Sequence, residues 1–264
     1  MRAIAADGTE IAFQVRGKGD PTVVLVHGWS CDRSYWQAQV EPLSRDYRVV
    51  TLDLAGHGES GLGRQEWSIA AFGLDVAAVV TYLGLGNVVL VGHSMGGDVV
   101  LEAARRIPDQ VRGIVWVDTY RQLDQFSTLQ QVRARMAAFE SNFVQVTREF
   151  VRSMFPASAD ALLVERVAAD MSAAPTEVAL PALEAAWTFG SKVPDLLKSL
   201  RIPVVAINPV DPPSDLESML DHGIDVLSVS GVGHFPMMEQ PERFNECLGK
   251  VVASFAARET RSDA

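Results

Sequence analysis

Short apolar runs rich in Val and Ile alternate along this chain with longer segments whose apolar residues recur at helical spacing. Each run is bounded by turn residues, as is typical of strands that are buried on both faces of a sheet. The alternation predicts an α/β fold in which helices flank a mostly parallel sheet. The predicted strands are 11–15, 22–26, 48–52, 88–91, 114–117, 204–207 and 225–229. The predicted helices are 34–43, 69–83 and 95–106, and the turn at Asp7–Gly8 is expected to open the sheet as an antiparallel hairpin.

One long segment breaks this alternation. Residues 120–187 are rich in Ala, Gln, Arg and Met and contain no strand-like run, so they are expected to form several helices. An insertion of this length between two core strands predicts a helical cap over the carboxyl edge of the sheet. The predicted organisation is a core domain of residues 1–119 and 188–264 with a cap of residues 120–187. The polar stretch 258–264 is expected to fray.

The composition limits the partners that the protein can have. The formal net charge of −10 over 264 residues disfavours binding to nucleic acid or to an anionic membrane. Two cysteines, Cys31 and Cys247, are too few for a disulfide scaffold or for a zinc site of their own. No phosphate-binding loop, metal-ligand cluster or dinucleotide fingerprint is visible, so we expect no cofactor and no metal. The expected partner is therefore a small-molecule substrate, and the sequence leaves the oligomeric state open.

The sequence also bears on location. Its N-terminus lacks the apolar core of a secretory signal, and no apolar run approaches the length needed to cross a bilayer. We therefore expect a cytoplasmic protein.

The segment Gly92-His93-Ser94-Met95-Gly96 lies between a predicted buried strand and a predicted amphipathic helix. A Gly-x-Ser-x-Gly pattern in this context is typical of a nucleophile elbow. The sharp turn holds the serine in strained backbone geometry, and the flanking glycines avoid collisions with neighbouring elements. The turn also places Ser94 at a helix N-terminus, where free N–H groups favour a developing oxyanion.

Four motifs in order resemble those of the α/β-hydrolase superfamily. They are Val24-Leu-Val-His-Gly-Trp29, Asp53-Leu-Ala-Gly-His-Gly-Glu-Ser60, Gly92-His-Ser-Met-Gly-Gly97 and Gly231-Val-Gly-His-Phe235. Their spacing is similar to that of the superfamily over essentially the whole chain, with the cap as the variable part. The resemblance implies an eight-stranded α/β-hydrolase sheet, a site at the carboxyl ends of the strands, and the chain order serine, acid, histidine.

The resemblance also implies roles for individual residues. Ser94 is the expected nucleophile, and the backbone N–H groups of Trp29 and Met95 are the expected oxyanion-hole donors. His234 is the expected base, because it lies late in the chain in a glycine-rich loop and an imidazole can take and return a proton near neutral pH. The other histidines are expected to have local structural or solvated roles; they are His27, His57, His93 and His222.

Two aspartates compete for the role of the triad acid. Asp211 follows the strand after which the superfamily commonly places its acid, but its loop carries three prolines and lacks the usual glycine. Asp118 follows the preceding strand, where some branches of the superfamily place the acid. The 24 residues between Ser94 and Asp118 fit one helix and one strand, which brings this carboxylate to the same edge of the sheet. We favour Asp118 and keep Asp211 as the alternative acid.

These expectations predict a serine hydrolase that cleaves an ester-like bond (an ester, lactone or thioester) of a small, largely apolar substrate through an acyl-enzyme on Ser94. One alternative is a cofactor-free dioxygenase that acts on a quinolone-like ring with a His–Asp dyad. Another is a non-catalytic small-molecule receptor on the same fold. The substrate is beyond what the fold can specify.

Overall fold

The computed structural model describes residues 1–257, which form one eight-stranded sheet with helices on both sides. The strands are β1 (Arg2–Ile4), β2 (Glu10–Arg16), β3 (Thr22–Val26), β4 (Arg48–Leu52), β5 (Val88–His93), β6 (Val111–Val117), β7 (Val204–Pro209) and β8 (Ile224–Val229). Their order across the sheet is β1-β2-β4-β3-β5-β6-β7-β8. The β1–β2 and β2–β4 pairs are antiparallel and the remaining pairs are parallel. The predicted mostly parallel sheet and its opening hairpin are confirmed.

The central strands owe their position to their composition. Every residue of β3 and β5 is buried, as strands covered by helices on both faces must be. Val24 of β3 pairs with Val50 on one side and with Leu90 on the other, so branched side chains stack across the middle of the sheet. The edge strand β8 exposes Asp225, Leu227 and Ser228, which agrees with its place at the edge of the sheet and its more polar sequence.

Eleven α-helices occur within residues 1–257. They are α1 (Gln37–Leu43), α2 (Ile69–Tyr82), α3 (Met95–Arg106), α4 (Leu129–Ser141), α5 (Phe143–Ser153), α6 (Ala161–Ser172), α7 (Thr176–Phe189), α8 (Val193–Leu200), α9 (Leu216–Asp221), α10 (Pro236–Glu239) and α11 (Pro241–Ala257). Side-chain caps define several of their starts. Ser68 accepts a hydrogen bond from the Ala71 N–H at the start of α2, and Thr128 and Gln131 form a reciprocal capping box on α4.

The predicted core elements differ from the observed ones mainly at their ends. The predicted strands 22–26 and 48–52 and the predicted helix 95–106 match β3, β4 and α3 to the residue. The first turn of the predicted helix 34–43 is instead a 3-10 turn, Arg33–Trp36, and α1 follows it. The prediction omitted β1, whose three residues are too few to carry a periodic pattern.

Residues 120–187 contain helices α4 to α6 and most of α7 and no strand, as expected for this segment. Three aromatic side chains of α4 and α5 lie around the Trp29 ring, at the carboxyl end of β3. The division into a core and a cap at residues 120 and 187 stays a prediction. The predicted fraying of residues 258–264 lies outside the described residues. Among residues 1–257, no helix is both long enough and apolar enough to cross a membrane.

Candidate active site

The sheet topology creates a crevice at the carboxyl end of β3. The chain passes from β3 to β4 on one side, and β5 then pairs with β3 on its other side. The loops that follow β3 and β5 therefore diverge at this point, and such switch points are where open α/β sheets bind ligands. Trp29 follows β3, Ser94 follows β5, and Asp118 follows β6. Three predicted site residues thus come from adjacent strand ends.

Ser94 occupies a sharp bend between β5 and α3. Its φ of 51° and ψ of −122° lie in a region that residues with a side chain rarely adopt, so the bend is strained as predicted for a nucleophile elbow. The glycines on either side permit close backbone approach. A Cβ at Gly92 would lie 2.1 Å from the Gly96 carbonyl oxygen, and a Cβ at Gly96 would lie 2.5 Å from the His27 carbonyl oxygen. Larger residues at either position would therefore force the turn open.

His234 and Asp118 form a hydrogen-bonded pair. The His234 Nδ1 atom lies 2.7 Å from Asp118 Oδ2, and the Asp118 side chain is only 3% exposed. The Arg121 guanidinium contacts the same carboxylate at 2.9 Å from Oδ1. Burial alone would raise the pKa of Asp118, but the hydrogen bond and charge of His234 and the charge of Arg121 outweigh it and lower the pKa. The carboxylate is therefore ionised at neutral pH and can orient the imidazole.

The backbone around His234 is held from several sides. Its N–H donates to the Met154 carbonyl at 2.9 Å, and its own carbonyl accepts a hydrogen bond from His93 Nε2 at 2.7 Å. The Glu239 carboxylate accepts the N–H groups of Gly233 and Phe235, each at 3.0 Å. The loop that carries the imidazole is thus tied to the segment after α5, to the β5 end and to α10.

His93 is a neutral donor in this arrangement. A carbonyl oxygen can only accept, so the proton of the His93 ring must lie on Nε2. Burial, together with the nearby His234, lowers the pKa of His93 to about 3. The His93 and His234 ring centroids are 4.8 Å apart, so His93 supports the His234 loop without adding a charge beside it.

The remaining candidate residues lie elsewhere. His27 and His57 are buried with ring centroids 5.1 Å apart, and the Nδ1 atom of each bonds to a backbone carbonyl. His222 is half-buried at the end of α9, where Nδ1 lies 2.8 Å from the Ser218 carbonyl oxygen. Asp211, the alternative acid, is exposed in the loop after β7 and does not line the cavity that holds His234. Of the two competing aspartates, the structure brings Asp118 to His234 and leaves Asp211 outside.

Two backbone N–H groups near Ser94 are unused. Among the hydrogen bonds within residues 1–257, none employs the N–H of Trp29 or of Met95 as donor. Met95 is the first residue of α3, whose N–H has no partner inside the helix. The side chain of Trp29, unlike its backbone N–H, does form a hydrogen bond: the indole Nε1–H donates to the Ala179 carbonyl of α7 at 2.7 Å. The predicted use of the two N–H groups as an oxyanion hole stays a prediction.

A cavity of about 470 Å³ opens above Ser94. Ser94, Asp118 and His234 all line it, together with Trp29 and Met95, so the predicted site residues share one space. The Ser94 hydroxyl makes no hydrogen bond within the described chain. The rest of the wall combines aromatic and aliphatic side chains with polar ones. The apolar part includes Phe126, Phe150, Met154, Met171, Leu183 and Trp187, and the polar part includes Thr119, Arg121, Gln122, Gln125 and Ser127. The size and lining are typical of a site for a small, largely apolar ligand.

Several polar residues of this site were not predicted from the sequence. Arg121 and Glu239 act through contacts that only the folded chain creates. Asp98 and Tyr120 also line the cavity, and they are hydrogen-bonded to each other. Asp98 carried a usable signal, because it is a carboxyl in the first turn of the predicted helix that directly follows Ser94. Within residues 1–257, no group of three His, Cys, Asp or Glu side chains could hold a metal ion.

Comparison with known proteins decides the family. Residues 23–247 match the alpha/beta hydrolase family. The chain is a member of this family. The match spans the elbow, the Asp118–His234 pair and the intervening helices, which are the parts that build the cavity.

Two relatives are similar to this alpha/beta hydrolase over nearly its whole length. A solved thermophilic esterase from Thermogutta terrifontis superposes with a TM-score of 0.84 at 27% identity, covering 97% of this chain and 99% of the other. A protein of Azorhizobium caulinodans named "Putative carbamate hydrolase RutD" is 26% identical, covering 90% of this chain and 93% of its own.

Other matches are shorter. An uncharacterized protein of Mycobacterium tuberculosis is 32% identical over 110 residues, which is 42% of this chain. The matched segment covers 32% of that relative's length.

Proposed function

We propose that this alpha/beta hydrolase cleaves an ester-like bond of a small, largely apolar substrate through an acyl-enzyme on Ser94. The observation that carries the proposal is the contact of His234 Nδ1 with the ionised Asp118 in the cavity that Ser94 lines. The carboxylate accepts the Nδ1 proton, which leaves Nε2 of His234 as the basic nitrogen. Such a pair in a cavity that a strained serine also lines suits acyl transfer.

The first half-reaction forms the acyl-enzyme. His234 Nε2 takes the Ser94 hydroxyl proton while Oγ attacks the substrate carbonyl carbon. The oxyanion that forms is stabilised by the N–H groups of Trp29 and Met95, and their lack of other partners supports this assignment. The intermediate collapses by breaking the bond to the leaving group, which departs with the proton from His234.

The second half-reaction restores the enzyme. Water loses a proton to His234 and adds to the acyl carbon, and the bond from that carbon to Ser94 Oγ then breaks. The proton returns to Ser94, and the carboxylic acid is released. Asp118 stays ionised throughout and stabilises the imidazolium that forms twice in each cycle.

The cavity supports the substrate class. Its aromatic and aliphatic wall favours an uncharged acyl or alcohol group, and its volume of about 470 Å³ accommodates a molecule of modest size. The similarity to an esterase supports an ester-like bond, and the similarity to a protein named for carbamate hydrolysis is compatible with a related carbonyl. The fold itself does not select among these.

Short-chain p-nitrophenyl esters test the proposal. We expect a burst of p-nitrophenol equal to the enzyme concentration, provided that deacylation is slower than acylation, and covalent labelling of Ser94 by a fluorophosphonate. Ser94→Ala is expected to lose both signals while its circular dichroism and thermal unfolding stay close to those of the wild type. Undiminished turnover by Ser94→Ala would exclude an acyl-enzyme on this residue. Binding of esters without labelling or turnover would instead favour a receptor.

A further inference from the structure

We propose that Asp98 and Tyr120 form a second polar site in the cavity, which binds an uncharged oxygen atom of the substrate. A carbonyl oxygen is the best fit, and it would lie close to the bond that is cleaved. The proposal rests on the function assigned above and adds a recognition element to it.

The placement of Asp98 carries the argument. It lies in the first turn of α3, four residues after Ser94, and both side chains line the same cavity. Asp98 is the fourth residue of the helix that begins directly after Ser94, so the two Cα atoms are separated along the helix axis by roughly one turn, about 5.4 Å. An oxygen bound at Asp98 would therefore lie about three to four bonds from the carbonyl that Ser94 attacks.

Asp98 is tied to one partner. The Tyr120 hydroxyl donates a hydrogen bond to Oδ1 of Asp98 at 2.6 Å, and no other hydrogen bond of this carboxyl occurs within residues 1–257. Asp98 is 4% exposed. Its other oxygen, Oδ2, has no partner in the described chain and is not sealed from solvent, so it is available to a ligand in the cavity that Asp98 lines.

The carboxyl is uncharged at neutral pH. Burial raises the pKa of Asp98 to about 8, and the hydrogen bond from Tyr120 offsets only part of this effect. Among the described residues, no charged group of the neighbouring helices α2, α7 and α8 shifts the pKa of Asp98. The other titratable groups that line the cavity are Cys31, His93, Asp118, Tyr120, Arg121 and His234. With Oδ1 accepting from Tyr120, Oδ2 carries the proton and can donate it to a substrate oxygen.

The same features argue against a charged ligand. An ammonium group would require Asp98 to ionise in a buried setting, and the Arg121 guanidinium lines the same cavity. A carboxylate ligand would place a second anion beside the ionised Asp118. A neutral acceptor oxygen avoids both penalties, and it satisfies the free O–H of Asp98.

Two pairs of isosteric esters test the proposal. In the first pair, p-nitrophenyl levulinate is compared with p-nitrophenyl 4-methylpentanoate, which replaces the ketone oxygen of the acyl chain by a methyl group. In the second pair, 3-oxobutyl acetate is compared with 3-methylbutyl acetate, which makes the same change in the alcohol. The readout is the ratio of kcat/KM for the oxygen-containing ester to that for its isostere, measured for the wild type and for Asp98→Leu. We expect this ratio to fall about tenfold or more in Asp98→Leu for at least one pair, the size expected for loss of one buried hydrogen bond.

The pH dependence of the ratio separates recognition from packing. The wild-type ratio is expected to fall between pH 7 and pH 9, because Asp98 loses the proton that it donates. Asp98→Asn keeps an N–H donor that does not titrate, so its ratio should stay level over the same range. Tyr120→Phe should lower the ratio at pH 7, because it frees Oδ1 and removes the group that orients the carboxyl. If Asp98→Leu fails to fold, the ratios measured for Asp98→Asn and Tyr120→Phe test the proposal in its place.

The outcomes for the two proposals are distinct. Unchanged ratios in the variants for both pairs, with all four esters still hydrolysed, overturn the second polar site and leave the proposed function standing. Absence of turnover for all four esters in the wild type overturns both.

Discussion

Two aspartates end neighbouring strands of the sheet, and their surroundings decide what each carboxylate can do. Asp118 is buried after β6, where it meets both the His234 imidazole and the Arg121 guanidinium. Asp211 is exposed in the loop after β7 and lies outside the lining of the cavity. A carboxylate orients and stabilises an imidazolium only when it contacts the ring, so the proposed mechanism assigns this task to Asp118.

Substitution of Asp118 by Asn should lower kcat strongly. The amide can offer its N–H₂ group to His234 Nδ1, which favours the wrong tautomer of the ring and removes the negative charge that stabilises its cation. We expect a loss of about 10³- to 10⁴-fold in kcat, as in other Ser-His-Asp enzymes, with little change in KM. Steady-state hydrolysis of p-nitrophenyl acetate measures both parameters.

Asp211→Asn is the matched control for this experiment. It makes the same chemical change at a carboxylate that follows the adjacent strand, and kcat is expected to stay within about twofold of the wild type. A large loss in Asp211→Asn together with a small loss in Asp118→Asn would reverse the assignment of the acid.

The residue scale also shows where sequence reasoning stops. Ser94 and His234 stand in motifs whose local chemistry points to their roles. The acid was ambiguous because Asp211 follows the strand after which the superfamily commonly places its acid but lies in an atypical loop with three prolines, whereas Asp118 follows the preceding strand. The choice between them depends on which strand end faces the His234 loop, and that is a property of packing across the sheet.

At the scale of elements, the loop after β3 is joined to the helices above it. The Trp29 ring packs edge-on against Phe139 of α4 and against Phe143 and Phe150 of α5, with centroids 5.9 to 6.4 Å apart. Its indole N–H also donates to the Ala179 carbonyl of α7. One side chain therefore fixes three helices relative to the sheet edge.

Trp29→Phe should reveal the contribution of this hydrogen bond. The substitution keeps an aromatic ring but removes the hydrogen bond to the Ala179 carbonyl, which lies within α7 and keeps its helical partner, so we expect a loss of about 0.5–1.5 kcal/mol of unfolding free energy. Trp187→Phe is the matched control, because Trp187 lies in the same aromatic cluster and its indole N–H makes no hydrogen bond within residues 1–257. Urea unfolding should give a larger destabilisation for Trp29→Phe, and equal losses would show that packing alone matters.

The elements themselves were predictable in proportion to their length and burial. Strands β3 and β4 are runs rich in β-branched residues with turn residues nearby, and the prediction matched them to the residue. β1 has only Ala3 buried between two exposed residues, and such a short run carries no distinguishing period. The helices of residues 120–187 were expected as a group. Their arrangement over Trp29 depends on aromatic contacts between elements far apart in sequence, which periodicity within one element cannot reveal.

At the scale of the whole molecule, three neutral histidines are buried near the carboxyl edge of the sheet. Burial lowers the pKa of His27 to about 4 and those of His57 and His93 to about 3. Each ring binds a proton in the unfolded chain near pH 6.5 but not in the folded protein, so each lowers stability as the pH falls below about 6.5. Asp98, with a pKa of about 8, and Asp75, with a pKa of about 6, act in the opposite direction because the folded protein holds their protons longer.

Because these contributions oppose each other, a single variant isolates one of them better than the wild-type profile does. His57 lies beside His27, and the charge of that ring adds to burial in lowering the pKa of His57. His57→Asn and His57→Phe both remove the titrating ring while differing in shape and polarity. Relative to either variant, the wild type should lose about 2 kcal/mol of unfolding free energy between pH 7 and pH 5, since the unfolded chain gains a proton that the buried ring refuses. Urea unfolding at pH 5, 6 and 7 measures this difference. The same slope in both variants ties it to the lost titration, whereas a difference that does not vary with pH would mean that folding leaves the pKa of His57 unchanged.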